Sequence, residues 1–65
     1  MVLTVNGEPA EVGATRIPDL LAELGYEGTF FAVAVNQEVV RRARWADIEL
    51  AEGDAVEVVT PRQGG

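Results

Sequence analysis

The stretch MVLTVNGEPAEVGATRIPDLLAELGY, residues 1–26, decides the fold. Asn6-Gly7 marks its first bend, because both residues accept the positive φ of a two-residue hairpin turn. Before the bend, Met1 to Asn6 reads as a strand with Met1, Leu3 and Val5 on one face. After it, Glu8 to Gly13 returns as a second strand, with Ala10 and Val12 inward and Glu11 outward. Pro9 has no N–H to give to a ladder, which suits a sheet edge or a strand start. The period then changes: Ile17, Leu20, Leu21 and Leu24 fall at i, i+3, i+4 and i+7, one apolar stripe of a helix. Thr15 or Arg16 precedes the first turn, Pro18 is tolerated inside it, and Asp19 complements the dipole there. Gly25 ends the helix as a left-handed stop. Such a stripe predicts core, not a ligand site.

Downstream, Phe30 to Asn36 reads as an interior strand that is apolar on both faces, with Phe31, Val33 and Val35 bulky and Ala32 and Ala34 small. Asn36-Gln37-Glu38 reads as a turn, Val39-Val40 as a short continuation, and Ile48 to Leu50 as a short strand or extended loop. Glu52-Gly53-Asp54 turns the chain into a last strand, Ala55 to Thr60, with Val56 and Val58 on one face and Glu57 and Val59 on the other. Pro61 stops regular pairing. A hairpin, one covering helix and further strands predict an α+β two-layer fold. With the first and last strands parallel and the helix crossing one face, this is the β-grasp arrangement, a mixed sheet of about five strands on one main helix. Residues 1–60 form the domain and residues 61–65 a projecting tail.

Composition removes most chemistry. The chain of 65 residues has no Cys, no His and no Lys. Disulfides, thiolate or imidazole zinc sites, thiol nucleophiles, an imidazole base and Schiff-base chemistry are all excluded. Eleven carboxylates, five Arg and one Tyr remain, which argues against a self-sufficient enzyme and against a resident metal or cofactor. The net charge of -6 repels phosphate backbones, so no nucleic-acid partner is expected; it suits a partner with a basic surface, or serves solubility alone. No signal peptide or membrane-length apolar run is visible, which predicts a cytoplasmic protein with no membrane contact. Arg41, Arg42 and Arg44 form a basic cluster beside Trp45. It reads either as a contact for an anion or partner, with Trp45 as anchor, or as solvated Arg around a Trp that covers the end of the core; the second reading is favoured.

The tail Pro61-Arg62-Gln63-Gly64-Gly65 has nothing apolar to bury. Five extended residues reach about 17 Å, enough to carry a terminal carboxylate into a partner's active site. A Gly pair packs nothing, but it leaves that carboxylate uncrowded and lets it enter a narrow slot.

With this tail on the page, the chain resembles the ubiquitin-like sulfur carriers, and most closely the ThiS-type carriers of thiamine biosynthesis. The resemblance runs from Met1 to Gly65. It rests on the Asn6-Gly7 hairpin, the Leu20-Leu21 helix, the stretches AVAVNQEVVRRARW (32–45) and LAEGDAVEVV (50–59), and the terminal PRQGG. No one of these motifs is specific; their order and spacing around Gly64-Gly65 carry the match. The resemblance implies that the Gly65 carboxylate is adenylated, with ATP and magnesium, by an E1-like enzyme of the ThiF type. Sulfur from a desulfurase system then replaces AMP, and the resulting thiocarboxylate donates sulfur to a thiazole synthase of the ThiG type. In this role the protein is a co-substrate, not an enzyme. Gly64, Gln63 and Arg62 give the tail its access.

The candidate partner surface is the sheet face away from the helix, near the tail: Ala32, Ala34, Glu57 and Val59 by strand alternation. Three rival roles share the Gly-Gly end. They are sulfur carriage for tRNA thiolation, a subunit for molybdopterin synthesis, and a ubiquitin-like modifier joined to other proteins through Gly65.

Overall fold

The chain opens with a hairpin whose register is set at its turn. The computed structural model describes residues 1–26 and 32–59. Strand β1 (Val2–Val5) pairs antiparallel with β2 (Glu8–Glu11) across Asn6-Gly7, where φ is 50° and 85°. The two positive values match the right-handed twist of the flanking strands, which is why Asn-Gly is suited to this position. β2 lies at the sheet edge, and Pro9 sits in it opposite Thr4.

Helix α1 (Ile17–Leu24) buries Ile17, Leu20 and Leu21. Each such side chain contributes about 1.5–3 kcal/mol through its removal from water. Arg16 occupies the N-cap in extended backbone without a side-chain cap, and Pro18 stands in the first turn. At the other end Gly25 takes φ 88°. Its N–H bonds to the Ala22 carbonyl at 3.2 Å, while Tyr26 N–H bonds to the Leu21 carbonyl at 2.9 Å. This is the paired Schellman closure of a helix, and it needs a left-handed residue where Gly25 stands. Glu23 on the helix ties the preceding loop, accepting Gly13 N–H and, at 3.0 Å, Ala14 N–H.

Strand β3 (Ala32–Val35) turns at Asn36-Gln37 into β4 (Glu38–Val40), and Ala55–Val59 forms β5. The sheet order is β2-β1-β5-β3-β4, with β1 and β5 parallel and the other pairs antiparallel. The expected α+β β-grasp architecture is thus present. The parallel pairing of first and last strands places β5 at the centre of the sheet.

One local expectation needs correction, and the alternative of a short strand or an extended loop at Ile48 to Leu50 resolves to the loop. Val39-Val40 does not continue the preceding strand; it turns back as part of β4, because Asn36 and Gln37 both take positive φ, 52° and 71°. Ile48 to Leu50 does not join the sheet. It is held to the helix entry by an isolated Arg16–Glu49 bridge and by Leu50 N–H on the Thr15 carbonyl at 2.8 Å. A 3-10 helix at Arg42–Asp47, with no periodic signature in the sequence, lies between these segments. Phe30, Phe31, Thr60 and Pro61 lie outside the described residues.

The core joins Leu3, Val33, Val56 and Val58 of the sheet to Ile17, Leu20 and Leu21 of the helix, with Val12, Trp45 and Leu50 closing its rim. Among the described residues no buried side-chain nitrogen or oxygen lacks a hydrogen-bond partner. No described helix is long and apolar enough to cross a membrane.

Candidate functional site

Strand β5 is the central strand and the one that leads toward the chain's end. Val59 is its last described residue. The tail candidates Arg62, Gln63, Gly64 and Gly65, and the boundary expected at residues 60 and 61, lie outside the described residues. The described part of the candidate site is therefore β5 itself, the strand that precedes these residues in the chain.

That strand is held from both sides. On one side, Asn6 N–H donates to the Val56 carbonyl at 2.9 Å, and Val58 N–H donates to Asn6 Oδ1 at 2.8 Å. On the other, Asn36 N–H donates to the Ala55 carbonyl at 2.7 Å, and Ala55 N–H donates back to Asn36 Oδ1 at 3.0 Å. Asn36 Nδ2 also reaches Asp54 Oδ1 at 3.1 Å. Each hairpin turn of the sheet thus presents an asparagine whose amide grips β5. Asparagine suits both tasks, since it tolerates left-handed backbone and carries an acceptor and two donors. The sequence marks both residues as turn formers, but their hold on a strand about 20 or more residues away appears only when the topology is known.

The four candidates for the partner surface come together. Ala32 stands opposite Val59, and Ala34 stands opposite Glu57, as two adjacent cross-strand pairs on β3 and β5. Their neighbours Val33, Val56 and Val58 are buried, so alternation turns the four toward the face away from α1. Val59 is 54% exposed. A fifth residue joins them: Val39 on β4 pairs with Ala34 and is 73% exposed. Val39 was not among the sequence candidates: the turn at Asn36-Gln37 is legible, but the reversal and pairing that bring Val39 to the same face belong to the sheet topology. The result is a row of Val39, Ala34 and Glu57 beside a row of Ala32 and Val59. It is an apolar patch with one carboxylate, on a sheet face that no described helix covers.

The basic cluster behaves as its favoured reading expects. Trp45 is buried at 7% exposure, and its Nε1–H donates to the Val40 carbonyl at 3.0 Å. Its ring is spent on the core rim, so it is no exposed anchor. Arg41, Arg42 and Arg44 are exposed, and Arg44 Nε lies 3.5 Å from Asp47 Oδ2. A shallow depression of about 340 Å³ between α1 and the 3-10 helix is lined by Pro18, Leu21, Tyr26, Arg42 and Trp45 among others, with no carboxylate. Among the described residues no acidic side chains gather into a metal-holding group.

Comparison with known proteins gives a consistent set. The sequence profile of the ThiS family matches residues 3–65. The chain is 38% identical over 61 residues to the sulfur carrier protein ThiS of Thermus thermophilus, covering 94% of this chain and 95% of that one. It is 35% identical over 66 residues to a thiazole synthase of Paramagnetospirillum magneticum, covering all of this chain but only 20% of that protein. Among solved structures, the crystal structure of the thiamine biosynthesis protein ThiS from Geobacter metallireducens superposes with a TM-score of 0.84. The two chains are 36% identical, with 100% of each covered. A solution structure of a thiamine biosynthesis protein from the same organism gives a TM-score of 0.77 at 33% identity, covering 91% of this chain and 81% of that one.

Proposed function

Since this chain belongs to the ThiS family and is thereby a small sulfur carrier of thiamine biosynthesis, we propose that it carries sulfur as a thiocarboxylate on Gly65. The observation that carries this reading is the extent of the family match, which continues through Gly64 and Gly65. The absence of Cys from the chain supports it, because no thiol is available to hold a persulfide.

The chemistry has two steps. An oxygen of the Gly65 carboxylate, ionised at neutral pH, attacks the α-phosphorus of ATP on an E1-like adenylating enzyme. Pyrophosphate leaves with the electrons of the broken P–O bond. Magnesium and cationic groups of that enzyme neutralise the charge that develops on the phosphates. The outer sulfur of a persulfide supplied by a desulfurase system then attacks the acyl carbon, AMP leaves with the electrons of the broken C–O bond, and an acyl disulfide forms. A second thiol, from a partner or a thiol reductant, attacks the S–S bond, becomes part of a disulfide and releases the thiocarboxylate. Its sulfur is anionic and soft, and so suited to attack an electrophilic carbon in the assembly of a thiazole. The carrier contributes an unhindered carboxylate and a recognisable body; acid, base and metal come from the partners.

The body is recognised through the apolar patch of Ala32, Ala34, Val39 and Val59 around Glu57. A thiazole synthase is the acceptor enzyme, a choice supported by the thiazole synthase of which one fifth is similar to this whole chain. A cytoplasmic location fits such partners. The experiment is reconstituted thiazole synthesis, in which this protein, pre-formed as the thiocarboxylate, is added to thiazole synthase and its other substrates. Product that depends on the thiocarboxylate form supports the proposal. Product yield equal with the plain carboxylate, or no product beside a working ThiS control, overturns it.

A further inference from the structure

A parallel ladder is built of evenly spaced, slanted rungs in which one strand donates and accepts in alternation. β1 and β5 begin in this way: Thr4 N–H donates to the Asp54 carbonyl at 2.9 Å and Asn6 N–H to the Val56 carbonyl at 2.9 Å. The next rung belongs to Val58 N–H, whose regular acceptor is the main-chain carbonyl of residue 6. At φ 50°, however, Asn6 is already the first residue of the hairpin turn, and its main chain has left the ladder. The side chain supplies the rung instead, through Oδ1 at 2.8 Å from Val58 N. The same amide donates through Nδ2 to the Tyr26 hydroxyl at 3.3 Å, just beyond the end of α1.

The two edges of β5 are therefore held differently. β3 pairs with it as far as Val59, whereas β1 pairs only as far as Val56. Beyond Val56, on the β1 side, the Asn6 amide is the hold found among the described residues. We propose that Asn6 is a positioning residue for the carrier end of this chain: its side-chain rung fixes the β5 backbone at Val58, in the last described residues of the strand that precedes the reactive end. For its kinetic consequence this inference rests on the carrier reading above. A tail tethered at a fixed point and direction presents its carboxylate to an active site at higher effective concentration than one whose root swings.

Two variants separate the side-chain rung from the backbone requirement. Asn6→Gly keeps access to positive φ and removes the rung; Asn6→Asp keeps an acceptor oxygen. Hydrogen exchange by NMR reads the clamp without any partner. In Asn6→Gly the Val58 amide exchanges at least about tenfold faster while Val56 changes less than about twofold, and Asn6→Asp retains Val58 protection. Equal acceleration at Val56 and Val58, or no acceleration at Val58, overturns the clamp. ATP–pyrophosphate exchange with an E1-like adenylating enzyme reads the consequence. Asn6→Gly lowers kcat about tenfold with KM unchanged, and Asn6→Asp restores kcat. Wild-type kcat in Asn6→Gly, a loss confined to KM, or an equal loss in both variants contradicts the positioning role. Failure of the unaltered protein to support exchange counts against the carrier reading and leaves the Val58 amide to judge the clamp.

Discussion

Val59 stands opposite Ala32 in the β5–β3 ladder, and both are exposed on the face of the sheet that α1 does not cover. On the proposed function, this pair belongs to the patch through which a partner grips the body. Val59→Arg puts a charge into this apolar patch. As a surface change it should alter stability by no more than about 0.5 kcal/mol. We expect the KM for the carrier in adenylation to rise about tenfold, equivalent to about 1.4 kcal/mol of binding. Steady-state kinetics beside a thermal melt will check this; an unchanged KM in a folded variant removes the patch from the interface.

Trp45 binds the 3-10 helix to the sheet through its burial and its bond to Val40. Truncating a buried Trp to Ala costs about 3–5 kcal/mol, which is all that a core of this size commonly supplies. Trp45→Ala should therefore be largely unfolded at room temperature. Trp45→Phe keeps most of the packing and loses the N–H bond, at about 1–2 kcal/mol. Urea titrations of the two variants measure both, and a Trp45→Ala protein with near-normal stability would show that the rim is not needed.

Gln37 sits at φ 71° between β3 and β4, a conformation glycine adopts without strain. Gln37→Gly should relieve backbone strain and raise stability by about 0.5–1 kcal/mol. In a domain of this length, 1 kcal/mol moves Tm by about 4–8 °C. A lower Tm would mean that the entropy lost by glycine outweighs the strain removed.

The Gln37 turn also explains where sequence reading stopped. Asn6-Gly7 announces its hairpin because glycine is the residue such turns favour, and the Ile17–Leu24 stripe announces its helix by period. Asn36-Gln37 makes a turn of the same kind without glycine; the turn is legible, but not that it reverses the chain into β4 and sets Val39 beside Ala34. The 3-10 helix at Arg42–Asp47 was hidden for another reason: one buried Trp fixes it, and a single apolar residue has no period. Of the candidate site, the exposed sheet face was legible from alternation in Ala32–Val35 and Ala55–Val59, since the hydrophobic pattern fixes which side each strand buries. The amide clamps of Asn6 and Asn36 on β5 were not, because they join segments about 20 to 50 residues apart and depend on strand order.

Gly64→Ala tests the access of the carboxylate. An added methyl next to the reacting residue should slow adenylation by about tenfold to a hundredfold, the scale of a small misplacement at a reacting centre. The melting temperature should stay that of the unaltered protein. ATP–pyrophosphate exchange measures the first effect and calorimetry the second; wild-type exchange rates would remove Gly64 from the chemistry.

The central claim is that Gly65 carries the sulfur, and the mass of the C-terminal peptide tests it most directly. The protein is incubated with an E1-like adenylating enzyme, ATP, magnesium, a desulfurase with cysteine and a thiol reductant, then cleaved and weighed. The account predicts that the peptide ending in Gly65 gains the mass difference between one sulfur and one oxygen, only when ATP is present, and that every other peptide is unchanged. A C-terminal peptide that keeps its carboxylate mass while a ThiS control in the same mixture is converted would contradict it.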